Sequence, residues 1–131
     1  ILAVFGAPQY RDDDADRAVQ CALAMQAAMA DINALNEAEG FPAISTGIAI
    51  NTGDVIAGNI GSERRSKYGF VGHPMNVTSR IEDVTAGDEI LISESTLQSL
   101  KGNYLLGRSE QINVKGIDET ILVHQVSGEK T

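Results

Sequence analysis

The chain has 131 residues, a formal net charge of −8 and 43% hydrophobic residues, which fits one domain with a sizeable core. The acidic balance argues against general nucleic-acid binding, and it means that an anionic ligand must be attracted by a local cluster of donors. A single cysteine, Cys21, excludes an internal disulfide and any multi-cysteine zinc site within one chain.

No apolar run reaches the length of a bilayer span, and no basic stretch precedes an apolar one as in a secretory leader. The chain opens at Ile1, without Met, in what reads as the middle of a strand. The expectation is therefore a piece of a longer protein.

Ile1 to Phe5 reads as a strand ending at Gly6-Ala7-Pro8. The acidic stretch Asp12, Asp13, Asp14 and Asp16 reads as a helix start, where carboxylates cap free N–H groups and complement the helix dipole, rather than as a metal site. Val19, Ala22, Met25, Met29 and Ile32 then recur at steps of three and four, which predicts one buried helix face. Cys21 falls in this pattern and reads as a small buried hydrophobe. Gly40 and Pro42 close the helix.

Ile44 to Ile50 predicts a strand, Asn51 to Asp54 a turn, and Val55 to Gly61 a short strand. Ser62 to Lys67 is a polar loop with Arg64, Arg65 and Lys67. Tyr68 to Val71 predicts another strand, and Pro74 to Asp83 a helix, since proline suits a first helical turn. Glu89 to Ile92 predicts a strand. Ser95 to Leu100 predicts a short helix capped by Ser93 or Ser95. Leu105 to Val114 and Thr120 to Val126 predict strands joined by a turn at Gly116 to Glu119. There is no repeat, low-complexity tract or linker. Mixed elements with adjacent strands near the end favour an α+β fold.

The stretch from Tyr68 to Glu82 is the most informative chemically. A strand runs into a helix through Gly72, and Asn76 and Arg80 stand four apart on one helix face. An amide beside a forked, always charged guanidinium can hold a sugar oxygen and a phosphoryl group together. In phosphoryl transfer such donors stabilise the charge that builds up. The same spacing also suits an ordinary surface helix. Gly53, Gly58 and Gly61 are not followed by Gly-Lys-Ser or Gly-Lys-Thr, so they read as turns and close packing rather than a Walker loop. His73 and His124 have no paired ligands and read as structural. Lys115 by itself reads as a solvated lysine at a strand end. Asn76-Val77-Thr78 matches the glycosylation sequon and is discounted without a secretory leader.

Taken in order, these pieces resemble the class III adenylyl and guanylyl cyclase family over essentially the whole chain. Leu2 to Pro8 resembles its strand ending in Phe-Gly-x-Pro. Asp16 to Val19 with Ala22-Leu23 resembles the following helix. Gly47 to Gly53 and Ala57 to Ser62 resemble its central strand pair. Asn76 to Arg80 resembles its Asn-x-x-x-Arg helix, and Ile90 to Ser93 and Ile112 to Gly116 complete the order.

The resemblance implies a palm-type, ferredoxin-like α+β domain with a central antiparallel sheet and flanking helices, lacking its first strand. It implies that residues 1–131 are one partial catalytic domain. It further implies that Asn76 orients the ribose, Arg80 stabilises the transition state at the α-phosphate, and Lys115 holds the terminal phosphates. Gly69, seven residues before Asn76, falls at a purine-reading position.

The family's cofactors are two Mg²⁺ or Mn²⁺ ions. Their aspartates and the purine-reading lysine would fall before Ile1, so no acidic residue of this chain is assigned as a metal ligand. A head-to-tail homodimer that builds its site at the interface is implied, as is a cytoplasmic location with any membrane anchor upstream. The expected activity is conversion of ATP to cyclic AMP and pyrophosphate, with the fragment inactive alone. The alternatives are a guanylyl cyclase and a non-catalytic module used for dimerisation or nucleotide sensing.

Overall fold

A computed structural model describes residues 1–60, 67–114 and 119–130. An alanine-rich stretch without internal glycine or proline forms α1, Asp14–Ala38. It ends where Gly40 takes φ +82°, a left-handed conformation in which only glycine escapes a Cβ penalty. There the Phe41 N–H donates to the Asn36 carbonyl at 2.7 Å. The chain continues through β1 (Ile48–Ile50), β2 (Ile56–Ile60), β3 (Lys67–Val71), α2 (His73–Asp83), β4 (Ile90–Ser93), α3 (Glu94–Ser99), β5 (Tyr104–Val114) and β6 (Glu119–Glu129). Ser93 caps α3, its hydroxyl accepting from the Thr96 N–H.

The fold is α+β, as expected. Its four-stranded sheet has the order β1-β4-β6-β5, and β2 and β3 form a separate antiparallel hairpin. Most pairing is antiparallel, but β1 and β4 run parallel. The parallel pair follows from the connection between them: the chain leaves β1, forms the hairpin and returns through α2 as a crossover.

β4 is buried along its whole length, and its alternation divides the core. Ile90 and Ile92 face a cluster with Val19 and Ala22 of α1, Tyr104 and Val126. Leu91 faces the other way, with Val77 and Ile81 of α2, Ile112, Val114 and Val123. α1 thus covers one face of the sheet and α2 the other. Fully burying a side chain such as Leu91 or Ile81 contributes about 1.5–3 kcal/mol.

Two buried carboxylates tie the loops to this core. Asp16 accepts from the Lys101 N–H at 3.0 Å and from the Tyr104 hydroxyl at 3.2 Å. Burial, and then the Asp16 charge, push the Tyr104 hydroxyl up to about 12. Glu89 accepts a two-pronged bond from Arg108, at 2.7 and 3.1 Å, and a bond from the Ala86 N–H at 3.1 Å. The Arg108 hydrogen bond holds the Glu89 carboxyl below its ordinary value, against the opposing effect of burial.

Four expectations are corrected. Ile1 to Phe5 forms no strand, and Ile1 and Leu2 are exposed; apolar residues alone do not make a strand without a neighbour for the backbone. The strand expected from Ile44 begins only at Ile48. Ahead of it, side chains of α1 take over the backbone groups: Asn33 bonds both the N–H and the carbonyl of Ile44, and Gln26 donates to Thr46 O.

The buried face of α1 stops early. Val19 and Ala22 are buried, whereas Met25 and Ile32 are 46% and 44% exposed, because the helix runs past the short strand it covers. Cys21 is exposed rather than buried, its Sγ 3.9 Å from Met25 Sδ. Among the described residues, no helix is long and apolar enough to cross a membrane.

Candidate active site

The site is built on α2 and the two strand ends beside it. The chain enters α2 through Gly72, whose φ of +146° disfavours any residue with a Cβ. Pro74 occupies the first turn, as expected. Its carbonyl accepts from Thr78 Oγ1 at 2.7 Å and from Asn51 Nδ2 at 3.0 Å. The 51–54 turn closes against this point: a Cβ at Gly53 would stand 2.5 Å from Pro74 Cγ. The turn is in turn held by α3, through Ser95 Oγ to Thr52 O at 2.9 Å and the Thr52–Thr96 hydroxyl pair at 2.8 Å. The start of α2 is therefore fixed from two sides.

Val77 and Ile81 anchor the buried side of α2. The adjoining stripe is polar: His73, Asn76 and Arg80, spaced three and four apart, lie within about 60° around the helix. Asn76 is exposed. Arg80 is half-buried, and its Nε donates to the carbonyl of Asn113 near the end of β5 at 2.8 Å. Its Nη1 stands 4.0 Å from Asp83 Oδ2. One of the five guanidinium N–H donors is thus committed to the backbone, and the Asp83 contact is at the outer limit of an ion pair. At the other end of the stripe, His73 Nε2 lies 2.9 Å from Glu119 Oε2, on the first residue of β6.

The comparisons with known proteins fit this arrangement. The model of the adenylate and guanylate cyclase catalytic domain matches residues 1–128. The chain belongs to this cyclase family. An adenylate cyclase of Anabaena cylindrica is 34% identical over 126 residues, covering 89% of this chain and 25% of that protein. The crystal structure of the guanylyl cyclase Cya2 superposes with a TM-score of 0.90 at 40% identity, covering 96% of this chain and 64% of that one. The adenylyl cyclase CyaB from P. aeruginosa superposes at 0.86 with 32% identity, covering 96% and 66%. This cyclase chain thus spans a quarter of that curated relative and about two thirds of the solved domains.

The cyclase fold brings Asn76 and Arg80 onto one side of α2, and Arg80 to the end of β5. Gly69 lies on β3, opposite Gly58 of β2, so this cross-strand pair carries no side chains. A Cβ at Gly58 would meet nothing within 4 Å. Lys115, Arg64, Arg65 and the turn from Gly116 to Asp118 lie outside the described residues.

The two histidines both have partners. His124 is buried on β6, with Nδ1 2.8 Å from Ser109 Oγ and Nε2 hydrogen-bonded to Glu94. Among the described residues, no three His, Cys, Asp or Glu side chains converge as a metal site. Sequence reading missed the His73–Glu119 pair and the role of Asp16. Asp16 stands at the helix start, as expected, but its partners are the Lys101 and Gly102 N–H groups and the Tyr104 hydroxyl, far along the chain, and no local signal marks them.

Proposed function

We propose that this chain is the phosphate- and ribose-binding part of a nucleotide cyclase, and that its parent converts ATP to cyclic AMP and pyrophosphate inside the cell. The observation that carries the reading is Arg80: a half-buried guanidinium, tethered through Nε to Asn113 O, one helical turn beyond the exposed Asn76. In this reading Asn76 orients the ribose. The 3′-hydroxyl oxygen forms a bond to the α-phosphorus as the bond to the pyrophosphate oxygen breaks. The hydroxyl proton passes to solvent water, and pyrophosphate carries away the charge. Arg80 donates to the α-phosphoryl oxygens as their charge grows, and Lys115, two residues after Asn113, holds the terminal phosphates.

The family's two Mg²⁺ or Mn²⁺ ions, when bound, would neutralise the triphosphate. The described residues do not fit them, since no three His, Cys, Asp or Glu side chains converge among them. We assign the metal ligands outside these residues. Residues 1–131 then form one partial domain, inactive alone, and the complete domain of the parent builds its site in a head-to-tail homodimer. Support for ATP comes from the adenylate cyclase relative at 34% identity.

A second reading, production of cyclic GMP, is favoured by the 40% identical guanylyl cyclase and by Gly69, which has no side chain to select adenine. The test is turnover by the parent's complete catalytic domain with ATP and GTP separately in Mn²⁺. Cyclic AMP as the faster product supports the first reading, and cyclic GMP the second. No product with either, from a folded dimer, would overturn both in favour of a non-catalytic module.

A further inference from the structure

His73 and Glu119 join α2, which carries Arg80, to β6, the strand paired with the one that Lys115 follows, and the proposed chemistry gives neither residue a part. Glu119 opens β6 and pairs directly with Val114, the last described residue of β5. The pair Val114–Glu119 therefore closes the strands on either side of residues 115–118, and Lys115 is the residue that follows Val114. On the other side of the contact, His73 opens α2 and lies on the same stripe as Asn76 and Arg80.

The helix stripe is thus fastened to the strand ends at two points. Arg80 Nε holds the Asn113 carbonyl at 2.8 Å, and His73 Nε2 meets Glu119 Oε2 at 2.9 Å. The first tether is made by a residue that must also serve the substrate. The second is made by two residues to which the proposed chemistry gives no part.

We propose that His73 and Glu119 form a positioning pair that holds the Arg80 stripe of α2 at a set distance from the paired ends of β5 and β6. The inference rests on the reading of Arg80 and Lys115 given above. Its physical basis is that two groups gripping one triphosphate must be held at a fixed separation before the ligand arrives, or binding itself must supply the ordering. Losing the pair loosens the grip on the ground state and the transition state alike. The effect falls on KM and leaves kcat in place. Both side chains are a little under half exposed. A side-chain contact of that exposure changes an equilibrium constant by about two- to fivefold.

The test uses the full parent protein, with His73→Gln, Glu119→Gln, the double variant, His73→Lys and Arg80→Ala measured together in Mn²⁺. The expected result is a two- to fivefold rise in KM for the nucleotide in each single variant, with kcat within twofold. A matching rise is expected in the inhibition constant of inorganic tripolyphosphate. The double variant should be no worse than either single one, and His73→Lys, which keeps a donor for Glu119, should stay near the parent.

Unchanged KM and tripolyphosphate inhibition in both single variants, alongside a large loss for Arg80→Ala, would overturn the pair alone. A silent Arg80→Ala would instead remove the site reading, and the pair with it. Should Glu119→Gln fail to fold, His73→Gln decides the matter by the same readouts.

Discussion

α1 and α2 lie against opposite faces of one sheet, yet they use their lengths in different ways. α1 runs for 25 residues and buries only Asp16, Val19 and Ala22, all within its first three turns. α2 has 11 residues, buries Val77 and Ile81, and presents His73 and Arg80 to the strand ends beside them. The long helix fixes the fold near its start and then runs out over the sheet margin. The short one is held along both sides, by apolar packing on one and polar contacts on the other. A helix that must place donors to within a fraction of an ångström needs the second arrangement. Length and apolar content are poor guides to which helix carries the function.

Equivalent substitutions on the two helices sharpen this contrast. Ile81→Ala should lower the stability of the complete domain by about 2–5 kcal/mol, because it opens a cavity against Leu91 and Val123. Denaturant unfolding would measure the loss, and a change below ~1 kcal/mol would break the comparison.

Glu89 tests the sheet that both helices share. Its folded-state carboxyl lies below the ordinary 4.5, chiefly through Arg108. Its stabilisation is therefore present above that value and lost as pH falls through the lower folded-state value. Glu89→Gln should cost about 1.5–3 kcal/mol at neutral pH. The difference from the parent should shrink toward zero under acid, and a gap that stayed constant down to pH ~2 would contradict the assignment.

The smallest effect is expected at the far end of α1. Ile32→Ala, at a position 44% exposed, should change stability by no more than about 0.5 kcal/mol. A loss like that of Ile81 would mean that another surface covers this face in the folded protein.

The same two helices show how much was legible in the amino-acid sequence. Pro74, Gly72 and the Asn76–Arg80 spacing marked α2 and its polar face, because every signal was local. The strands of the second half were legible for the same reason, and Ser93, one of the two serines offered as the cap of α3, is the one that caps it. On α1 the period of Val19, Ala22, Met25 and Ile32 marked the helix, but not where its partner strand would end. Ile44 to Thr46 looked like strand because nothing local reveals that Asn33 and Gln26 satisfy its backbone. The parallel β1–β4 pairing, the Asp16 anchor and the His73–Glu119 contact each join residues more than 40 positions apart, and spacing along the chain says nothing about them. Asn76, Arg80, Lys115 and Gly69 were nameable only because ordered motifs resembled a family. Taken singly, their spacing suits a surface helix equally well.

The account's central claim is that the polar stripe of α2 is a catalytic face. The direct measurement is the initial rate of cyclic-nucleotide formation by the parent's complete catalytic domain, compared with its Arg80→Ala variant at saturating nucleotide and Mn²⁺. The account predicts a fall of about 10²–10³-fold in a variant that remains folded, the loss expected when one charge-stabilising donor is removed. A variant that turns over at the parent's rate would contradict it.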